Sequence, residues 1–176
     1  MKVKLAFLSV IGLTLISSNA WAAEATALIK ATTEGSALSG VVLFVEKGEG
    51  LEITVNVAGV SLGKHAFHIH ENGSCDDMGK AAGSHYNPDA VEHGLIMKDG
   101  FTHAHAGDFG NIEVGEDGTG TLSFFVPGLT LTGEKHNVSG KGFILHEKED
   151  DFGQPTGNAG GRIGCGIIEL MPEVEE

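Results

Sequence analysis

From residue 51 to residue 57 the chain alternates without a break. Leu51, Ile53, Val55 and Val57 are apolar, and Glu52, Thr54 and Asn56 between them are polar. A period of two marks a strand with one face in a core and the other in water, the pattern of an antiparallel sheet. Short runs rich in Val, Ile, Phe and Thr recur along the chain between Gly, Asp and Asn, while helical periodicity is nearly absent. Strands are expected at 25–33, 39–46, 51–57, 64–70, 110–113, 120–126, 141–146 and 166–170. Glu116-Asp117-Gly118 supplies a turn between two of them. Eight short strands in a chain of this length predict one all-β domain, a sandwich or a closed barrel.

Two stretches interrupt this rhythm, 71–108 and 147–164. Both are rich in Gly, Asp and Asn and carry little strand pattern. Loops so long within a compact domain are functional or disordered. These two hold Cys75, the approach to Cys165 and most of the candidate metal ligands, so they are read as ordered and functional.

Ahead of the first strand, Lys2 and Lys4 flank the start of an apolar run over 5–16. Ala20-Trp21-Ala22 then offers small residues at the spacing a signal peptidase accepts. The run is short for a bilayer span, and no stop-transfer pattern follows. Residues 1–22 are therefore expected to be a signal peptide and 23–176 the folded domain, with no membrane span. Export leads to an oxidising compartment. There the two cysteines, Cys75 and Cys165, read as one disulfide, with two free buried thiols as the alternative. Such a bridge closes a loop of roughly ninety residues, worth on the order of 4–5 kcal/mol in the chain-entropy model. The formal charge is −13, and loss of Lys2 and Lys4 makes it two units more negative. That balance argues against nucleic acid and anionic membrane as partners.

Seven of the nine histidines, His65, His68, His70, His85, His93, His103 and His105, fall close together, with His136 and His146 beyond them. His68 and His70 are two apart in an expected strand and share one face, with Phe67 and Ile69 on the other. His85 and His93 lie in the Gly- and Asn-containing stretch 83–94. His105 and Asp108 are three apart in His-Ala-Gly-Asp, and His146 ends a strand. Imidazole suits copper and zinc, and a carboxylate can complete a zinc site. By spacing alone either His103 or His105 can reach zinc. His65 is expected to make structural hydrogen bonds, and His136 to be structural or exposed.

Five stretches carry a specific likeness: Ala66-Phe-His-Ile-His70-Glu71, Gly83-Ser-His85-Tyr-Asn-Pro88, His105-Ala-Gly-Asp108, His146-Glu-Lys-Glu-Asp-Asp151 and Gly157-Asn-Ala-Gly-Gly-Arg162-Ile-Gly-Cys165-Gly166. In this order, and over essentially all of 23–176, the chain resembles the Cu/Zn superoxide dismutase family. The resemblance implies an eight-stranded antiparallel Greek-key barrel or sandwich with two long functional loops, and copper and zinc as cofactors. It implies copper on His68, His70, His85 and His146, and zinc on His85, His93, His105 and Asp108, with His85 shared. The family pattern His-x-Gly-Asp favours His105 over His103. Asp150 is implied as a hydrogen-bond acceptor linking ligand histidines of the two sites. Arg162 is implied beside the copper as the group that attracts the anion, and Cys75–Cys165 as the family disulfide.

The implied reaction is disproportionation of superoxide to oxygen and hydrogen peroxide, with copper changing oxidation state and His85 relaying a proton. A metal carrier on the same scaffold is the competing reading, which the complete ligand set and Arg162 disfavour. The chain also departs from the eukaryotic pattern. Only Phe-Gly-Gln-Pro-Thr separates Asp151 from Gly157, where eukaryotic members have a longer charged loop. Attraction of the anion then rests on Arg162, with Lys80, Lys98, Lys141 or Lys148 as substitutes for the missing charges. The region 71–74 is short as well and resembles bacterial members. With the leader, this points to the periplasm of a Gram-negative cell. Members of the family form dimers or remain monomers, so a homodimer is an allowed assembly.

Overall fold

The structure, a computed structural model, describes residues 22–172. All but Ala22 of the expected signal peptide, and the acidic end beyond Pro172, lie outside the described residues. Eight strands are present: β1 (Glu24–Ala31), β2 (Ser39–Lys47), β3 (Gly50–Ala58), β4 (Gly63–His70), β5 (Asp108–Val114), β6 (Gly120–Pro127), β7 (Gly142–His146) and β8 (Arg162–Leu170). They form one antiparallel sheet in the order β5-β4-β7-β8-β1-β2-β3-β6. The pairs β4–β7, β8–β1 and β3–β6 join strands distant in sequence, which is Greek-key connectivity. The two end strands of this order, β5 and β6, follow one another through a tight turn in which Gly115 N–H bonds the Thr119 carbonyl at 2.9 Å. The sheet thereby curls into a nearly closed barrel.

The alternation over 51–57 is realised in β3. Leu51, Ile53, Val55 and Val57 are buried, and Glu52, Thr54 and Asn56 face outward. Ile53 pairs with Phe44 on one side and Phe124 on the other. Phe67 lies 5.8–5.9 Å, centroid to centroid, from Phe109, Phe124 and Phe143. Full burial of such side chains contributes about 1.5–3 kcal/mol each. The barrel interior therefore outweighs any single contact in the loops.

β4 is buried on both faces. Phe67 and Ile69 enter the core, while His68 and His70 face away from it under the two long loops. The first loop contains a 3-10 turn at Lys80–Ala82 and one helical turn, α1 (Ile96–Asp99). It is tied to β8 by the disulfide Cys75–Cys165, whose Cα atoms are 5.7 Å apart. It also lies against β4, where Ile69 N–H bonds the Gly107 carbonyl at 3.0 Å. A Cβ on Gly107 would fall 2.2 Å from the Ile69 carbonyl oxygen, so only glycine permits this approach.

Strand ends differ from the expected ones by a residue or more at several places, and two of these differences bear on the site. β5 begins at Asp108 and β8 at Arg162, which moves Asp108, Arg162 and Cys165 from loops onto strands. Glycine-rich sequence reads as weak strand. Here the ladder of β7, which pairs Leu145 with Gly164 and His146 with Arg162, extends β8 regardless. Among the described residues no helix is long and apolar enough to cross a membrane.

Candidate metal centre

β4 and β7 are ladder neighbours, with Phe67 opposite Leu145 and His68 opposite Ile144. That register brings His68 and His70 of β4 beside His146 at the end of β7. The His146 ring lies 4.9 Å from that of His68 and 5.6 Å from that of His70. His85 comes from the first loop. It is held against β4 by an isolated bridge to His70 and by the bond from Tyr86 N–H to the Ile69 carbonyl, 2.8 Å. The four histidines are buried, and each offers a nitrogen within 4.8 Å of the others.

A second group adjoins the first. His85, His93, His105 and Asp108 also bring one ligand atom each within 4.8 Å of one another. Asp108, fully buried at the start of β5, gathers this group. Its Oδ1 lies 2.8 Å from His85 Nδ1 and 3.1 Å from His105 Nδ1. Its Oδ2 accepts from the backbone N–H of Gly94 and His105, and lies 2.9 Å from His93 Nδ1. That last pair is close, yet His93 Nδ1 has no hydrogen-bond geometry to any acceptor. Convergence without a hydrogen bond suits two donors of one ion. His103 is exposed, with Nδ1 against Thr102 Oγ1 at 2.8 Å, outside both groups.

Asp150 sits behind both groups. Its Oδ2 accepts from His68 Nε2 at 2.8 Å and its Oδ1 from His93 Nε2 at 2.9 Å. Its own backbone is pinned by Asn111, which bonds both its N–H and its carbonyl. A nitrogen facing a carboxylate carries the proton, so the lone pair is left on the other ring nitrogen. The same holds for His70, whose Nδ1–H donates to the Gly83 carbonyl at 2.9 Å. The nitrogens left without partners among the described residues are His68 Nδ1, His70 Nε2, His93 Nδ1 and both of His146. Orphaned buried nitrogens are costly unless something binds them. Their placement fits a histidine-only site suited to copper beside a three-histidine, one-carboxylate site suited to zinc.

The charges of the histidine-only group agree with that use. Burial, with the neighbouring histidines, pushes His70 and His146 down to about 2. Burial also carries His85 down to about 4, against the hydrogen bond to Asp108. Burial lowers His68 too, although its hydrogen bond to Asp150 opposes the shift. These rings stay neutral, the form that binds metal. His93 differs: burial lowers it, but Asp108 and Asp150 together raise it to about 9. Burial would raise the Asp108 carboxyl, yet hydrogen bonds from His105 and His85, the nearby His93 ring and the Gly94 N–H hold it well below the carboxylate range. Asp150 is likewise lowered, by His68 and His93 against its own burial.

A cavity opens onto the first group, lined by His70, His85, His146, Arg162 and Lys148 among others. The Arg162 guanidinium donates to the carbonyls of Gly79 at 2.5 Å and Gly83 at 2.6 Å, which fixes it at the mouth. Of the four lysines weighed as extra charges, Lys148 lines this cavity. Lys141 instead rests on the Tyr86 ring, 4.0 Å from its centroid. His65 bonds the His146 carbonyl at 2.9 Å and the Ser61 carbonyl at 3.0 Å. His136 is buried, bonded to Asp89 at 2.5 Å and stacked 3.6 Å from the Phe101 centroid. Asn111 and Gln154 have no signal in the sequence, because their partners are 39 and 61 residues away.

A sequence-family profile described as copper/zinc superoxide dismutase (SODC) matches residues 38–168. The chain is also 39% identical over 149 residues to the extracellular superoxide dismutase [Cu-Zn] of Drosophila melanogaster, covering 78% of this chain and 79% of that protein. With both metal groups built as described and these likenesses spanning most of the chain, the protein belongs to the copper/zinc superoxide dismutase family.

Proposed function

We propose that His68, His70, His85 and His146 hold the copper of this enzyme, that His85, His93, His105 and Asp108 hold its zinc, and that His85 serves both. The observation that carries this reading is the set of buried, partnerless nitrogens aimed into the two groups. The family's reaction is the disproportionation of two superoxide ions and two protons to oxygen and hydrogen peroxide. Copper, when bound, supplies the one-electron change between Cu(II) and Cu(I), while zinc keeps its oxidation state.

The chain's own residues do the rest. Arg162 and Lys148 give the cavity mouth a local positive field that draws the anion in against the overall negative charge. His85 is the proton carrier. Its Nδ1 lies 2.8 Å from Asp108 Oδ1, and the ring would be the group that passes a proton toward the cavity during turnover. Asp150 keeps His68 and His93 in one tautomer and orientation.

The setting is read as secreted, which the leader-like segment 1–22 and the extracellular relative support. The short 71–74 region favours the Gram-negative periplasm. The assembly is read as a homodimer, which the exposed apolar row Leu28, Val41 and Leu43 on the outer face of β1 and β2 supports. A monomer mass in solution would reject that assembly.

The test is to purify the exported chain, measure bound copper and zinc, and assay superoxide removal with and without Arg162→Ala. Arg162→Ala should slow the reaction and flatten its dependence on ionic strength. An unchanged rate at low salt removes Arg162 from this role. Stoichiometric metals with no activity leave a metal carrier.

A further inference from the structure

His93 lies in a loop segment outside any strand, yet its backbone is paired as if it stood in one. Its N–H donates to Gln154 Oε1 at 3.0 Å, and its carbonyl accepts from Gln154 Nε2 at 2.8 Å. One primary amide thus satisfies the donor and the acceptor of one residue, as a facing strand residue does in a ladder. Gln154 belongs to the shortened second loop, and the residues around it close on the same histidine. The Phe152 ring stacks beside the His93 ring, 6.4 Å between centroids and 20° between planes. Gly157 lies so close that a Cβ there would fall 1.9 Å from Asp150 Oδ1 and 2.8 Å from His93 Nε2.

We propose that Gln154 is a positioning residue for the zinc site: its amide clamps the His93 backbone and so fixes the imidazole whose Nδ1 faces Asp108. The short second loop then works as a lock on the zinc side, in place of the longer charged loop. The proposal rests on His93 being a zinc ligand. Gln154 itself is exposed, so its replacement leaves the barrel core intact. His93 in turn shares Asp150 with His68, so the clamp acts on the zinc-side arm of that link and leaves the Asp150–His68 arm in place.

The experiment follows zinc release from the metal-loaded protein to a chelator, and the visible bands of Co(II) placed in the zinc site, which report ligand geometry. For Gln154→Ala, zinc release about tenfold faster is expected, the scale of two lost hydrogen bonds at a surface position. The Co(II) bands should shift and copper retention should stay as it was. Gln154→Glu keeps the acceptor arm and loses the donor arm, so it should fall between. Release at the unaltered rate with unchanged Co(II) bands in Gln154→Ala overturns the clamp. His93→Ala separates the two levels. If it still binds zinc as the unaltered chain does, the ligand reading fails and the clamp with it. If it loses zinc while Gln154→Ala does not, only the clamp fails.

Discussion

The groups proposed to hold copper and zinc share His85 and lie side by side, yet they are built differently. On the copper side, His68, His70 and His146 stand on β4 and β7, whose ladder sets their spacing before any loop is placed. On the zinc side, His85, His93 and His105 all come from one long loop, and only Asp108 stands on a strand. The loop is fixed by cross-links from elsewhere: the Cys75–Cys165 disulfide, the His136–Asp89 bond, the Asp108 carboxylate and the Gln154 amide. A ladder gives rigidity to every residue along it, whereas a loop must be pinned point by point. With the proposed assignment, the contrast implies that the copper ligands are preorganised by the barrel and that the zinc ligands are organised with their metal.

The largest test of this contrast removes one ligand from each side. His146→Ala should lower copper affinity by more than about 100-fold, beyond the cost of losing an outer partner. Zinc content and amide exchange in β4 and β5 should stay unchanged. His105→Ala should lose zinc and also speed amide exchange across 84–105. Slow loop exchange in His105→Ala breaks the comparison, because the loop would then be held without its metal.

Asp150 is the exception that sharpens it, since it bonds His68 on one side and His93 on the other. Asp150→Ala should weaken both metals by about 10–100-fold. Metal titrations that show a loss on one side alone would assign Asp150 to that site.

The smallest effect separates the sides by pH in the metal-stripped protein. His70 and His146 have folded values of about 2 against an ordinary 6.5. As pH falls below 6.5 the unfolded chain takes up protons that these folded rings refuse. Stability is therefore lost toward acid, by about 1.4 kcal/mol per pH unit for each such group. His93, raised to about 9, has the opposite sign. Its contribution is fully present below 6.5 and is lost as pH rises through 9. In denaturant melts over a pH series, His70→Asn should flatten the acid limb and His93→Asn the alkaline one. Identical limbs in the two variants would show that the sides do not differ in charge.

The regions differ in how legible they were. The period of two in 51–57, and the pairing of His68 and His70 opposite Phe67 and Ile69, reflect local backbone geometry and are visible in a few residues. The start of β8 was not visible, because its glycines carry no strand signal and the ladder to β7 supplies it. His103 and His105 were equivalent by spacing. The structure distinguishes their positions through the turn into β5, where Asp108 bonds the His105 backbone and ring while His103 stays outside.

The sequence by itself determined an all-β domain, the residue types that can hold two metals, and the one cysteine pair. These depend on periodicity and donor chemistry, which each segment carries alone. Only the tertiary structure decided which nitrogen of His68, His70 and His93 is free, which lysine joins Arg162 at the cavity, and what pins His93. Each of those is a contact between segments tens of residues apart, set when the sheet closes and the loops fold over it.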